Sequence, residues 1–140
     1  MNRISRVAPW INRIVLTVSA FVFTMVGIRY IADPVSAAAA TGAVLNTPLA
    51  ATTARVGFGA FPLAIAVFAL ISLLSSGRMV SGVRLVAIVM ISAIAVRVIG
   101  MIADGAVPAS SRLFVPESAI LLFALAGLFL QRNSEEGAKS

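Results

Sequence analysis

Long apolar runs alternate with short polar breaks along the whole chain. Four runs approach the length of about 20 residues that a helix needs to cross a hydrocarbon core. They cover residues 11–32, 55–74, 85–103 and 113–130. Trp10 and Tyr30 frame the first run. At about 1.5 Å per residue they stand about 30 Å apart, as two aromatic anchors of one spanning helix would. A basic start followed by an apolar stretch is also the pattern of a signal peptide, with small residues at 36–40. The length of the run favours a spanning helix.

The breaks carry their own signals. Asp33-Pro34 stops the first helix, because a residue before proline avoids the α region. The same pair can open a new helix, with Asp33 as N-cap and Pro34 in the first turn. A short Ala-rich helix over 34–41, closed by Gly42, is therefore expected at the membrane surface. Residues 43–53, with Asn46-Thr47-Pro48, read as loop. Pro62 should kink the second span and leave the Phe58 carbonyl without its helical partner. A turn is expected over 75–82. The third span should end at Asp104-Gly105, with a loop over 106–112 containing Pro108. Pro116 then falls in the first turn of the fourth span, and 131–140 is a polar tail.

The pattern predicts an all-α polytopic membrane protein: a four-transmembrane-helix bundle, with residues 1–140 as one membrane domain. An echo at an offset of 71 residues pairs Arg13 with Arg84 and Ile31-Ala32-Asp33 with Ile102-Ala103-Asp104. It suggests two parallel helical-hairpin repeats.

Composition strengthens this reading. Of 140 residues, 60% are apolar and only 11% charged, against roughly 25% charged in an average soluble domain. Mean hydropathy is +1.04. A chain this short cannot hide so much apolar surface in a water-soluble core. There is no His and no Cys, which removes imidazole bases, thiolate nucleophiles, disulfides and Cys/His metal sites. No catalytic constellation, cofactor or metal is expected, and the protein reads as a non-enzyme. The net charge of +6 comes from basic residues that punctuate the apolar runs, not from one dense patch, so no nucleic-acid partner is expected. Four spans place both termini on one side. Arg3, Arg6, Arg13, Arg78, Arg84, Arg132 and Lys139 fall there, against Arg29, Arg55, Arg97 and Arg112 at the other end. The positive-inside rule then puts both termini in the cytoplasm.

Six ionisable residues gather at the outer end: Arg29, Asp33, Arg55, Arg97, Asp104 and Glu117. Arg29 and Asp33 are spaced as an i,i+4 pair. Arg97 sits about 10 Å inside the third span, where a guanidinium facing lipid is costly, so Glu117 or else Asp104 is its expected partner. The cluster has two readings. One is a ligand pocket, in which Arg residues bind an anionic or amphipathic headgroup and the acids orient them. The other is structural, with a helix-end pair, helix terminators and a bundle lock. Small residues at packing intervals (Ala60/Ala64, Ser92/Ala95, Ala124/Gly127) are expected between helices. Phe58, Phe61 and Phe68 suit a lipid-facing or packing stripe better than a lipid or quinone pocket.

These residues bring a family into view. Arg55 with Gly57 and Gly59 heads the second span. Arg97-Val98-Ile99-Gly100 and Asp104-Gly105 close the third, Glu117 lies early in the fourth, and Asp33-Pro34 follows the first. Over about residues 12–130 the chain resembles the bacterial four-helix membrane proteins filed as domain of unknown function forty-three forty-five, themselves distantly similar to DoxX-like membrane proteins. The resemblance implies a four-helix bundle in the bacterial inner membrane and brings no activity. Where that family often has a more aromatic or polar stretch after the helix-2 Arg, this chain has Val56-Gly57-Phe58-Gly59-Ala60-Phe61-Pro62. The expected function is a small integral membrane protein that binds membrane lipid or an anionic amphipathic ligand at the Arg/acid cluster, or serves as accessory subunit to a membrane-protein partner. The alternative is a homo-oligomeric transporter or channel for a small anion.

Overall fold

A computed structural model describes residues 3–105 and 107–136, with side chains described from residue 7 and absent from description at 106–112 and 135. Among these residues every regular element is helical. The order is α1 (Arg3–Ala32), α2 (Pro34–Ala39), α3 (Pro48–Ala54), a π-helical turn (Arg55–Ala60), α4 (Phe61–Leu73), α5 (Met79–Asp104) and α6 (Val107–Glu136). Four stretches are long and apolar enough to cross a membrane: Val7–Ala32, Pro48–Leu73, Met79–Asp104 and Leu113–Ser134. The protein is a multi-pass membrane protein built as a four-helix bundle.

The helix starts follow proline and cap chemistry more closely than hydropathy. α1 ends at Ala32, and Asp33 leaves the helical region with φ −142° and ψ 84°. Its carboxylate accepts from the Ser36 backbone N–H at 3.1 Å, so Asp33 caps α2 as expected. The 43–53 loop is shorter than expected. Thr47 accepts from the Ala50 N–H at 3.1 Å and Pro48 takes the first turn, so the second span begins at Pro48 and not at residue 55. The same correction applies to the fourth span. Residues 107–112 are the opening turns of α6 rather than a loop, which leaves Pro116 inside the helix. The tail also winds on as helix to Glu136. Pro62 does not act as an isolated break. A π-helical turn precedes it, in which the Phe61 N–H donates to the Val56 carbonyl five residues back, and this wider turn takes up the register change.

α1 is the organising helix. It packs on α4, the π turn, α5 and α6, while α5 links α4 to α6. The buried apolar cluster comprises Val15, Leu16 and Ala20 of α1, Ala69 of α4, Met79, Val83, Val86, Ala87 and Met90 of α5, and Ala124 of α6. All of it lies toward the end of the bundle that holds the termini. At the distal end, α5 has no buried residue beyond Met90.

Glycines allow the closest approaches. A Cβ at Gly27 would stand 2.6 Å from the Leu63 Cγ and 2.9 Å from the Gly59 carbonyl, so α1 and the π turn cross almost backbone to backbone. At Gly127 a Cβ would run into the Asn12 Oδ1. Of the three small-residue pairs expected at interfaces, only Ala124/Gly127 is buried. Ala60/Ala64 and Ser92/Ala95 are exposed, because they lie on the outward faces of their helices.

Candidate functional site

The distal half of α5 carries an ion pair set in apolar sequence. Arg97 is embedded in an apolar sequence, with Val96 and Val98 beside it, both exposed outside the bundle. Its side chain turns to α6. The Nε donates to Glu117 Oε2 at 2.7 Å, and the Nη2 donates to Glu117 Oε1. The carboxylate thus receives one edge of the guanidinium in a bidentate, charge-assisted contact. The two side chains are only 21% and 20% exposed. The expected choice between Glu117 and Asp104 falls to Glu117, because α5 and α6 are packed neighbours. Asp104 instead lies exposed at the last turn of α5, which Gly105 closes in the left-handed conformation at φ 67°.

The other members of the cluster have separate attachments. Arg55 donates from Nε to the Ile31 carbonyl at 3.1 Å, tying the start of the π turn to the last turn of α1. Asp33 is occupied as the α2 cap. The expected Arg29–Asp33 ion pair does not form. The Asp33 carboxylate is turned to the Ser36 N–H as the cap of α2, and its backbone has left the helical region that spacing by four presumes. Among the described residues, Arg97–Glu117 is the one ion pair within the six. The Arg112 side chain lies outside the described residues.

Arg97 also borders an open groove of about 450 Å³, lined by Ser92, Ala93, Val96 and Arg97. These positions follow i, i+1, i+4 and i+5, so the groove runs along one face of α5. It is a mostly apolar surface that Arg97 borders. Sequence reasoning missed this groove. The signal was present in the pairing of small Ser92 and Ala93 with Arg97 one turn on, but these small residues suggest helix packing equally well. Phe58, Phe61 and Phe68 are exposed and do not line this groove, although the Phe58 ring lies tilted against Tyr30 with centroids 5.2 Å apart. No group of three or more potential metal-ligating side chains occurs among the described residues.

The family model described as domain of unknown function (DUF4345) matches residues 11–129, and the chain belongs to that family. No characterised protein matches the chain in a search of curated sequences, and no solved structure matches it either.

Proposed function

We propose that the protein is a non-enzymatic component of the bacterial cytoplasmic membrane that binds a lipid-like ligand beside the Arg97–Glu117 pair, in the outer leaflet. Both termini lie in the cytoplasm, as the excess of basic residues at that end requires. One observation carries the reading: a bidentate ion pair borders an open apolar groove in the half of the bundle where α5 contributes nothing to the core. Polar groups within membrane spans are expensive and tend to serve function. An accessory role fits the same surface, with a partner's transmembrane helix laid along the bare face of α5 in place of a lipid. A transport path has no counterpart observation.

Purification from native membrane in mild detergent tests the proposal. Lipid extracted from the wild-type protein should contain a species depleted from a variant with the groove filled by Ala93→Phe. Retention of that species by the filled variant would exclude the groove as its site. Loss of a co-purifying protein, with lipid content unchanged, would instead support the accessory role.

A further inference from the structure

The end of the bundle that holds the termini carries most of the chain's charge. Arg3, Arg6, Arg13, Arg78, Arg84, Arg132 and Lys139 belong to it, against Glu135 and Glu136, so five of the six net positive charges fall there. One of these cations is held in a defined place. Trp10 and Arg13 are three residues apart on α1, and side chains on a helix lean toward its N-terminus. The Arg13 guanidinium accordingly lies over the Trp10 ring, 5.8 Å from its centroid. An exposed Trp near the end of a span marks the headgroup level. Arg13 is rooted about 4.5 Å deeper in the span, and its lean returns the charge to that level. Trp10, Ile14 and Phe21 are all exposed and, at i, i+4 and i+11, share one face of α1. They make an apolar strip about 16 Å long that starts at the ring carrying the cation.

All five acids of the chain are committed or set at other levels. Asp33 caps α2, Asp104 ends α5 and Glu117 holds Arg97, each in the distal half. α6 passes Asn12 at Gly127, so its last residues, Glu135 and Glu136, lie about 12 Å nearer the termini than Arg13. Glu136 also accepts from Arg132 at 2.8 Å. A membrane brings an anion to the level of Arg13, because a lipid phosphate stands among the headgroups with its acyl chains directed inward. A soluble anion would meet the cation and leave the strip bare. We propose that Arg13, held on Trp10, binds an anionic phospholipid of the leaflet on the side of the termini, the cytoplasmic one under the proposed topology. The phosphate meets the guanidinium, and an acyl chain lies along Ile14 and Phe21. The site is independent of the α5 groove, which opens in the other half of the bundle.

The test uses two probes with the same acyl chains, palmitoyl-oleoyl-phosphatidylglycerol and palmitoyl-oleoyl-phosphatidylcholine. Native mass spectrometry of delipidated protein in neutral detergent reads the bound fraction of each. Phosphatidylglycerol should bind about fivefold tighter, the scale of one basic residue at an anionic headgroup. Arg13→Gln should abolish that preference. Arg84→Gln removes the same charge from the same end, but residue 84 stands about 200° around α5 from Gly82, which faces Leu16 of α1. It should change the preference less than twofold. Trp10→Leu keeps an apolar side chain and removes the ring, and should lower the preference about twofold. Phe21→Ala should weaken both lipids and leave their ratio unchanged. All four positions are exposed, so these substitutions spare the core. Equal binding of the two lipids by the wild-type protein would overturn the proposal. So would equal losses in Arg13→Gln and Arg84→Gln, which would trace the preference to the charge of the whole end. Unchanged binding of both lipids by Phe21→Ala would overturn the acyl-chain placement.

Discussion

Glu117→Gln should destabilise the protein more than Arg97→Met and Glu117→Gln together. The wild-type carboxylate takes two N–H groups of Arg97, and four-fifths of each side chain is shielded. Removing one partner of a fully buried pair costs about 3–5 kcal/mol, most of it the expense of the charge left behind. Here the cost is smaller, because the pair is one-fifth exposed and the Gln amide oxygen still accepts one of the two bonds. A single charge-assisted hydrogen bond is worth about 1.5–3 kcal/mol, which sets the expected loss near 2 kcal/mol. Adding Arg97→Met removes the stranded charge and leaves a neutral amide facing an apolar side chain. That should restore about 1 kcal/mol. Unfolding in mixed micelles with increasing SDS, followed by circular dichroism, measures all three proteins on one scale. A Glu117→Gln variant within about 0.5 kcal/mol of wild type would refute the shielded-pair reasoning. So would a double variant less stable than the single one.

The same assay should separate glycines by their surroundings. Gly27→Ala forces a Cβ against the Gly59 carbonyl and should cost about 1–3 kcal/mol, whereas Gly57→Ala, with nothing within 4 Å, should be neutral or slightly stabilising. Gly127→Ala should be similarly disruptive, and Asn12→Ala should relieve part of that loss because the clash is with the Asn12 side chain. Asp33→Ala should cost about 1 kcal/mol and speed amide exchange at Ser36, whose N–H loses its acceptor. Reporter fusions after Ser140 and within residues 43–46 should report opposite sides of the membrane, the first cytoplasmic; a periplasmic report from Ser140 would overturn the topology.

The architecture was legible because hydropathy runs of spanning length leave few alternatives in so short a chain. The Asp33-Pro34 break and the Arg97–Glu117 pair were legible too, since each follows from one strong local rule. Proline stereochemistry fixes the first, and the expense of a lone intramembrane guanidinium fixes the second. Helix starts were less so. Pro48 and Pro108 were read as loop residues, although proline suits the first turn of a helix as well as a loop. At Pro48 the Thr47 cap decides between these, and that geometry exists only in three dimensions. The Arg29–Asp33 pair failed for a related reason: a spacing rule was carried across a break that the same sequence signal had already announced. The groove was the least legible feature. It arises because the distal part of α5 contributes nothing to the core, and local sequence does not say which of several apolar faces a bundle will leave bare.

That bareness bears on why the ion pair exists at all. The end nearer the termini is closed by the economical means available to membrane helices, with Gly82 against Ser72, Gly127 against Asn12, and a cluster of Leu, Val, Ala and Met around Leu16. Packing of that kind could in principle continue between α5 and α6 to the distal end. A shielded ion pair is a poor fastener by comparison, since apolar residues of similar volume in its place are often as stable or more so. Stability alone therefore gives weak grounds for Arg97 and Glu117. A role at the groove gives stronger ones: the carboxylate fixes one edge of the guanidinium and cancels its charge where Arg97 borders a groove open along α5. On that account the Arg97→Met, Glu117→Gln protein stays folded and loses its co-purifying lipid, and the separation of those two outcomes distinguishes a binding site from a bundle lock.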